Sequence, residues 1–245
     1  MYHNKLSIEH WGRIDYQEAW DRQSVYQRKL VALKRTARAE GIVRNEGTHF
    51  LVLCEHHPVY TLGKSGKTAH LLVNEHFLKE HGITFYRINR GGDITYHGPG
   101  QLVAYPILDL EFFYTDIHRY VRTLEESVIR TLADYGVVGR RIEGFTGVWT
   151  GQKSARKICA IGIHMSRWVS MHGLAFNVNT DLTNFQYIVP CGIEAENMAV
   201  TSLAREVGHE LDITEVTTRF TNHFTHLFNI DQCEERKTQK IHIPS

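Results

Sequence analysis

The chain has 245 residues, with 28 Lys and Arg against 27 Asp and Glu, and 42% of it is hydrophobic. That is enough to bury the core of one domain, the composition excludes a disordered chain, and a net charge of +1 offers no general attraction to nucleic acid. No apolar run is long enough to span a bilayer and no basic-then-apolar leader opens the sequence, so a cytoplasmic protein without membrane contact is expected.

Asp15 with Glu18 three residues on reads as a capping box. Ala19, Tyr26, Leu30, Leu33 and Ala37 then recur at helical spacing, which predicts a helix over 16–39. Arg28, Lys29, Lys34, Arg35 and Arg38 gather on this segment, with Arg44 just beyond it, either as a solvated face or as a docking surface for an acidic protein. Residues 50–54 are an apolar run suited to a buried strand, and 58–63 form a second extended piece. Gly63-Lys64-Ser65 is no phosphate-binding P-loop, because Pro58 stands where that motif needs glycine. His56-His57 near Cys54 is a poor zinc chelate, since adjacent strand residues point to opposite faces; no metal site is expected.

A short helix over 75–80 and a strand over 84–88 lead into residues 90–101, which read Arg-Gly-Gly-Asp-Ile-Thr-Tyr-His-Gly-Pro-Gly-Gln. Four glycines and a proline in so short a stretch predict a shaped loop whose backbone approaches a ligand, with a long structural hairpin as the alternative. A strand over 102–108 leads out of it. Ile117, Tyr120, Val121, Leu124, Val128, Leu132 and Tyr135 outline an amphipathic helix closed by Gly136. Strands follow at 148–149, 157–163 and 171–178, and a last helix at 214–228. Strict alternation over 157–163 puts Lys157 on one face with Cys159, Ile161 and Ile163. Strands and long helices in this order indicate an α/β (α+β) domain, a mixed sheet flanked by helices, over 1–231, with 232–245 a polar tail.

The four cysteines are scattered without disulfide or C-x-x-C spacing, as expected of free thiols. Cys54 and Cys159 lie inside apolar strand runs, whereas Cys191 is flanked by Pro190 and Gly192 on an irregular segment where a nucleophile is reachable. A thiol needs a cationic neighbour or a base to react at neutral pH, and Lys157 is the candidate. On the residues alone, Cys159 is a rival nucleophile, and His97 or His172 a rival base for a cysteine-histidine hydrolase. An acyl-binding module in which Cys191 is incidental is also open.

Four segments resemble the lipoyl(octanoyl) transferase family: His57-Pro58-Val59-Tyr60-Thr61-Leu62-Gly63, the 90–101 loop, Lys157-Ile158-Cys159-Ala160-Ile161-Gly162, and His172-Gly173-Leu174-Ala175-Phe176-Asn177-Val178 continuing to Pro190-Cys191-Gly192. The resemblance implies the fold of the biotin/lipoate protein ligase catalytic domain. It also implies transfer of an octanoyl group from octanoyl acyl carrier protein to the target lysine of lipoyl domains, without a cofactor or ATP. Acceptors would be the 2-oxoacid dehydrogenase complexes and the glycine cleavage H protein, and the enzyme would be a monomer. Carried over residue by residue, Cys191 would hold the acyl group as a thioester and Lys157 would lower its pKa. Arg90, Gly91, Gly92, Asp93, Ile94, Thr95, Tyr96, His97, Ala160, Ile161, Gly162, Gly173, Leu174 and Ala175 would bind substrate, with Val103 and Phe176 further candidates for an acyl tunnel. Lys64 stands where arginine is expected in many relatives. An ATP-dependent ligase on the same scaffold is the nearest alternative.

Overall fold

A computed structural model describes residues 3–189, 198–230 and 232–237. In chain order the strands are β1 (His3–Ile14), β2 (Glu46–His56), β3 (Val59–Leu62), β4 (Thr84–Arg87), β5 (Ile94–His97), β6 (Gln101–Ile107), β7 (Arg140–Ile142), β8 (Phe145–Thr150), β9 (Ala155–Ser166), β10 (Val169–Asn177), β11 (Met198–Val200) and β12 (Gln232–Lys237). The helices are α1 (Tyr16–Ala39), α2 (Glu75–Glu80), α3 (Ile117–Ala133), α4 (Leu203–Val207) and α5 (Ile213–Leu227).

Among the described residues, a nine-stranded sheet runs β12-β1-β2-β6-β10-β9-β8-β7, with β11 on β9, and a three-stranded sheet runs β4-β3-β5. Pairing is mixed: β1 is parallel to both its neighbours, while β2, β6, β10, β9 and β8 are successively antiparallel. The period-two rule divides the side chains cleanly. Leu6, Ile8, Leu51, Leu53, Leu102 and Ala104 pack with α3 and α5 through Leu124, Val128, Phe220 and Phe224. Trp11, Val52, Cys54, Val103 and Tyr105 fall on the opposite face with Ala19 of α1, beside a smaller cluster of Leu30, Phe50, Ile107 and Val169.

Asp15 caps α1 by accepting from the amides of Gln17 and Glu18, so the helix starts where the sequence predicts. Gln232–Lys237, expected as part of the polar tail, instead forms an edge strand parallel to β1. Residues 232–236 are exposed, so the strand buries no apolar face that a hydrophobic pattern could reveal.

Candidate active site

The glycine-rich stretch is half loop and half strand. Ile94–His97 is β5, paired antiparallel to β3, which corrects the expectation of an uninterrupted loop; the turn proper is residues 90–93. Backbone amides of Gly63, Lys64 and Ser65 donate to the carbonyls of Asp93, Arg90 and Gly92, and Gly91 N–H donates to Ile163 O of β9 at 2.8 Å. The turn is therefore tied to both sheets. A Cβ at Gly162 would stand 2.9 Å from both Arg90 Cδ and Gly91 O, so only glycine lets the turn lie this close to β9.

Beneath this turn lies a cavity of about 320 Å³. Three segments distant in sequence meet on its wall: Arg90, Gly91, Gly92, Asp93, Ile94, Thr95 and His97; Lys157, Ala160, Ile161 and Gly162; and Gly173, Leu174 and Ala175. Ile117, Val121, Phe145 and Ile163 add apolar wall, and Tyr16, Gln101, Tyr105, His172 and Asn177 add polar wall. Tyr96 is the exception among the expected residues in the described chain. It packs against Tyr60 and Phe185, with its hydroxyl accepting from Asn184 Nδ2 at 3.0 Å. Val103 and Phe176 are core residues and do not line the cavity. Cys191 lies outside the described residues.

A chain of hydrogen bonds runs behind the wall. Arg90 Nη2 donates to Thr61 O and to Thr61 Oγ1, and the Thr61 hydroxyl lies 3.3 Å from His97 Nε2. His97 Nδ1 is 2.8 Å from Gln101 Oε1, while Gln101 Nε2 donates to Asn177 Oδ1 and Asn177 Nδ2 to Thr201 O. Gln101 donates through its nitrogen, so its oxygen accepts, and the His97 proton sits on Nδ1. Thr201 N–H then donates to Lys157 O at 2.9 Å, and its hydroxyl to Glu206, which takes a bidentate pair from Arg156. The turn and the Lys157 backbone thus share one polar frame.

Contrary to strict alternation, Lys157 and Cys159 do not lie on one face of a regular strand, although the lysine's charge still reaches the thiol. The β8–β9 ladder pairs Val148 with Cys159 but Trp149 with Lys157, so β9 carries an extra residue there and the alternation breaks. Lys157 reaches the cavity with its Nζ 4.7 Å from the Trp149 ring centroid. Cys159 is fully buried in the core against α3 and α5, where desolvation pushes its thiol pKa up, away from reactivity. Cys54 is buried on the other face, and its pKa is likewise raised by burial.

The cavity histidines are held neutral. Burial pushes His172 down to about 3, helped by the charge of Arg90, and holds His97 well below its ordinary value, helped by His56 and Arg90. So weak a base is a poor proton acceptor for a cysteine at neutral pH, which weighs against the histidine-based alternatives. His172 Nε2 is 2.8 Å from Asn89 Oδ1, its backbone amide donates to Gln23, and its φ is 60°. Gln101, expected from its place in the glycine-rich stretch to present a polar group to a ligand, does line the wall, whereas Asn177 was missed; the available signal was a polar side chain inside an apolar strand.

The lipoyl protein ligase A/B catalytic domain family matches residues 15–225. The octanoyltransferase of Flavobacterium johnsoniae is 51% identical over 230 residues, covering 93% of this chain and 98% of that one. The octanoyltransferase of Bacteroides fragilis is 52% identical over 211 residues, covering 85% and 91%. Among solved structures, a bipartite lipoate protein ligase from Thermoplasma acidophilum superposes with a TM-score of 0.68 at 20% identity, over 98% of this chain and 88% of that one, which establishes a shared fold. The chain belongs to the lipoyl protein ligase A/B catalytic domain family, within its octanoyltransferases, and transfers octanoyl groups in protein lipoylation.

Proposed function

We propose that this octanoyltransferase works as a cytoplasmic monomer by a two-step covalent transfer in which Cys191 carries the acyl group and Lys157 manages charge and protons. The observation that carries the reading is the convergence of Lys157 with the turn at 90–93, Ala160–Gly162 and Gly173–Ala175 on one partly apolar cavity. Its volume of about 320 Å³ lies in the range of sites that enclose a small ligand. The described residues before and after Cys191 have fixed partners. Val189 N–H donates to His70 O, and β11 pairs Val200, a cavity residue, with Lys157.

In the first step the Cys191 thiolate attacks the thioester carbonyl of octanoyl acyl carrier protein. A carbon–sulfur bond forms to the enzyme, the bond to the carrier's sulfur breaks, and the carrier leaves as its thiol. The Lys157 ammonium favours the thiolate beforehand and supplies the leaving sulfur's proton. In the second step the neutral ε-amine of a lipoyl-domain lysine attacks the enzyme thioester, Lys157 accepts its proton, and the amide departs with Cys191 restored. Exchange between thioesters is close to balanced, whereas amide formation draws the sequence forward, so no nucleotide is consumed. The acceptors are lipoyl domains of 2-oxoacid dehydrogenase complexes and the glycine cleavage H protein.

Intact-mass spectrometry after incubation with octanoyl carrier protein tests this directly. One octanoyl adduct is expected on the wild-type chain and none on Cys191→Ala. An adduct that persists on Cys191→Ala, or transfer that requires ATP, defeats the proposal.

A further inference from the structure

Outside the cavity, the turn that follows β3 forms one side of a second cleft of about 420 Å³, walled by Trp20, Gly63, Lys64, Arg87, Ile88 and Asn89 among others. Lys64 and Arg87 are its cations, and the backbone of Lys64 is tied to the turn at 90–93. Lys64 N–H donates to Arg90 O, and Arg87 Nη2 donates to Thr68 Oγ1 at 2.6 Å, on the segment that also carries the exposed Lys67. Among the described residues, none of Lys64, Lys67 and Arg87 has an ion-pair partner. Cleft and cavity adjoin at His172: Asn89 Oδ1 of the cleft lies 2.8 Å from His172 Nε2, and the Trp20 and His172 rings are 6.4 Å apart.

The basic cluster on α1 is a weaker docking surface. Lys34 and Arg44 pair with Asp109, and Lys34 and Arg38 with Glu111, so their charges are met within the molecule. Arg35 stands fifteen residues beyond Trp20 on the same helix, roughly 22 Å along its axis and away from the cleft.

We infer that the cleft and its rim of Lys64, Lys67 and Arg87 receive the acidic acyl carrier donor. The phosphodiester at the root of the carrier's prosthetic arm lies between Lys64 and Arg87, and the arm runs past Asn89 and His172 into the cavity. This rests on the reading of the donor given above. The donor is favoured over the lipoyl-domain acceptor because its arm carries a fixed phosphate beside an acidic protein surface, matching clustered cations next to the wall that separates cleft from cavity; the acceptor brings a bare lysine. Charges at such a rim govern encounter and its salt dependence.

The test compares two donors, octanoyl carrier protein and octanoyl-N-acetylcysteamine, which has the thioester but neither phosphate nor protein. In Lys64→Glu/Lys67→Glu, and separately in Arg87→Gln, the KM for the carrier should rise about tenfold or more at low salt. Turnover of the small thioester should stay as in wild type. Arg28→Glu/Arg35→Glu should leave the carrier's KM unaltered. An unchanged carrier KM in the cleft variants, an equal loss with both donors, or a rise confined to the KM for the lipoyl domain overturns the inference. Wild-type enzyme that takes octanoyl from neither donor but uses free octanoate with ATP sinks the donor reading itself, a different result from normal wild-type turnover with indifferent variants.

Discussion

His49, His56, His97 and His172 are buried and carry little of the charge that histidine ordinarily takes up in mild acid. Desolvation lowers His49 to about 3, His56 to about 4 and His172 to about 3, and holds His97 well below its normal value. Above pH ~6.5 both folded and unfolded histidines are neutral, and these groups make stability independent of pH. Below it the unfolded chain binds protons that the folded chain refuses, so stability falls as pH drops from ~6.5 toward the folded values. Each histidine then contributes a slope of up to about 1.4 kcal/mol per pH unit. Urea unfolding midpoints should therefore decline steeply between pH 6.5 and 4.5. His172→Asn, chosen because asparagine tolerates the left-handed φ of 60° at this position, should flatten that slope by close to one proton. An unchanged slope in the variant would show that His172 titrates normally. The residue scale also marks a limit of sequence reading. Lys157 was legible as a lysine in an apolar strand, but its separation from Cys159 depends on a bulge that only pairing with β8 creates.

At the scale of elements, α1, α2, α3 and α5 were readable because caps and apolar stripes are local signals, and α1 and α2 occupy the predicted 16–39 and 75–80. The strands were legible in proportion to their burial. β2, β6 and β10 bury nearly every residue and announce themselves as apolar runs, whereas β1 mixes Asn4, Glu9 and His10 with Leu6, Ile8 and Trp11 and passed unread. Its Glu9 is tolerable there because Trp11 Nε1 and the Tyr26 hydroxyl donate to the carboxylate. β10 runs so close to β6 that a Cβ at Gly173 would sit 2.2 Å from Ala104 O and 2.6 Å from Pro106 Cδ. Gly173→Ala should thus destabilise the fold by about 1–3 kcal/mol, read from a denaturant midpoint, by forcing two central strands apart. Activity lost without any stability change would contradict that account. From the other side of the sheet α3 contributes Val121 to the cavity wall. Val121→Phe should narrow the space for an eight-carbon chain and cut kcat/KM for the octanoyl donor about tenfold or more while sparing a butanoyl donor. Equal losses with both donors would remove Val121 from the acyl-binding wall.

For the whole molecule, a net charge of +1 conceals an uneven distribution of cations. Sequence shows a basic cluster on the first helix but not the carboxylates that answer it, because Asp109 and Glu111 are some seventy residues away and meet the helix only in the finished fold. Lys34, 4% exposed, places its Nζ 2.7 Å from Asp109 Oδ1 and 2.6 Å from Arg167 O, and Arg44 holds the other oxygen of Asp109 at 2.8 Å. Asp109 is itself fully buried and receives the amide of Glu111, so the cluster fastens α1 to the turn that follows β6. Replacing one partner leaves a buried carboxylate short of a counter-charge, a change that costs about 3–5 kcal/mol when no second cation remains. Here Arg44 remains. Lys34→Met should consequently cost less than about 3 kcal/mol and Lys34→Met/Arg44→Met distinctly more than the two single changes added together, because only the double variant strands the Asp109 charge. Unfolding free energies from a double-mutant cycle measure this. Simple additivity would mean that Asp109 is stabilised by solvent or by other groups, and that α1 owes its position to apolar packing alone.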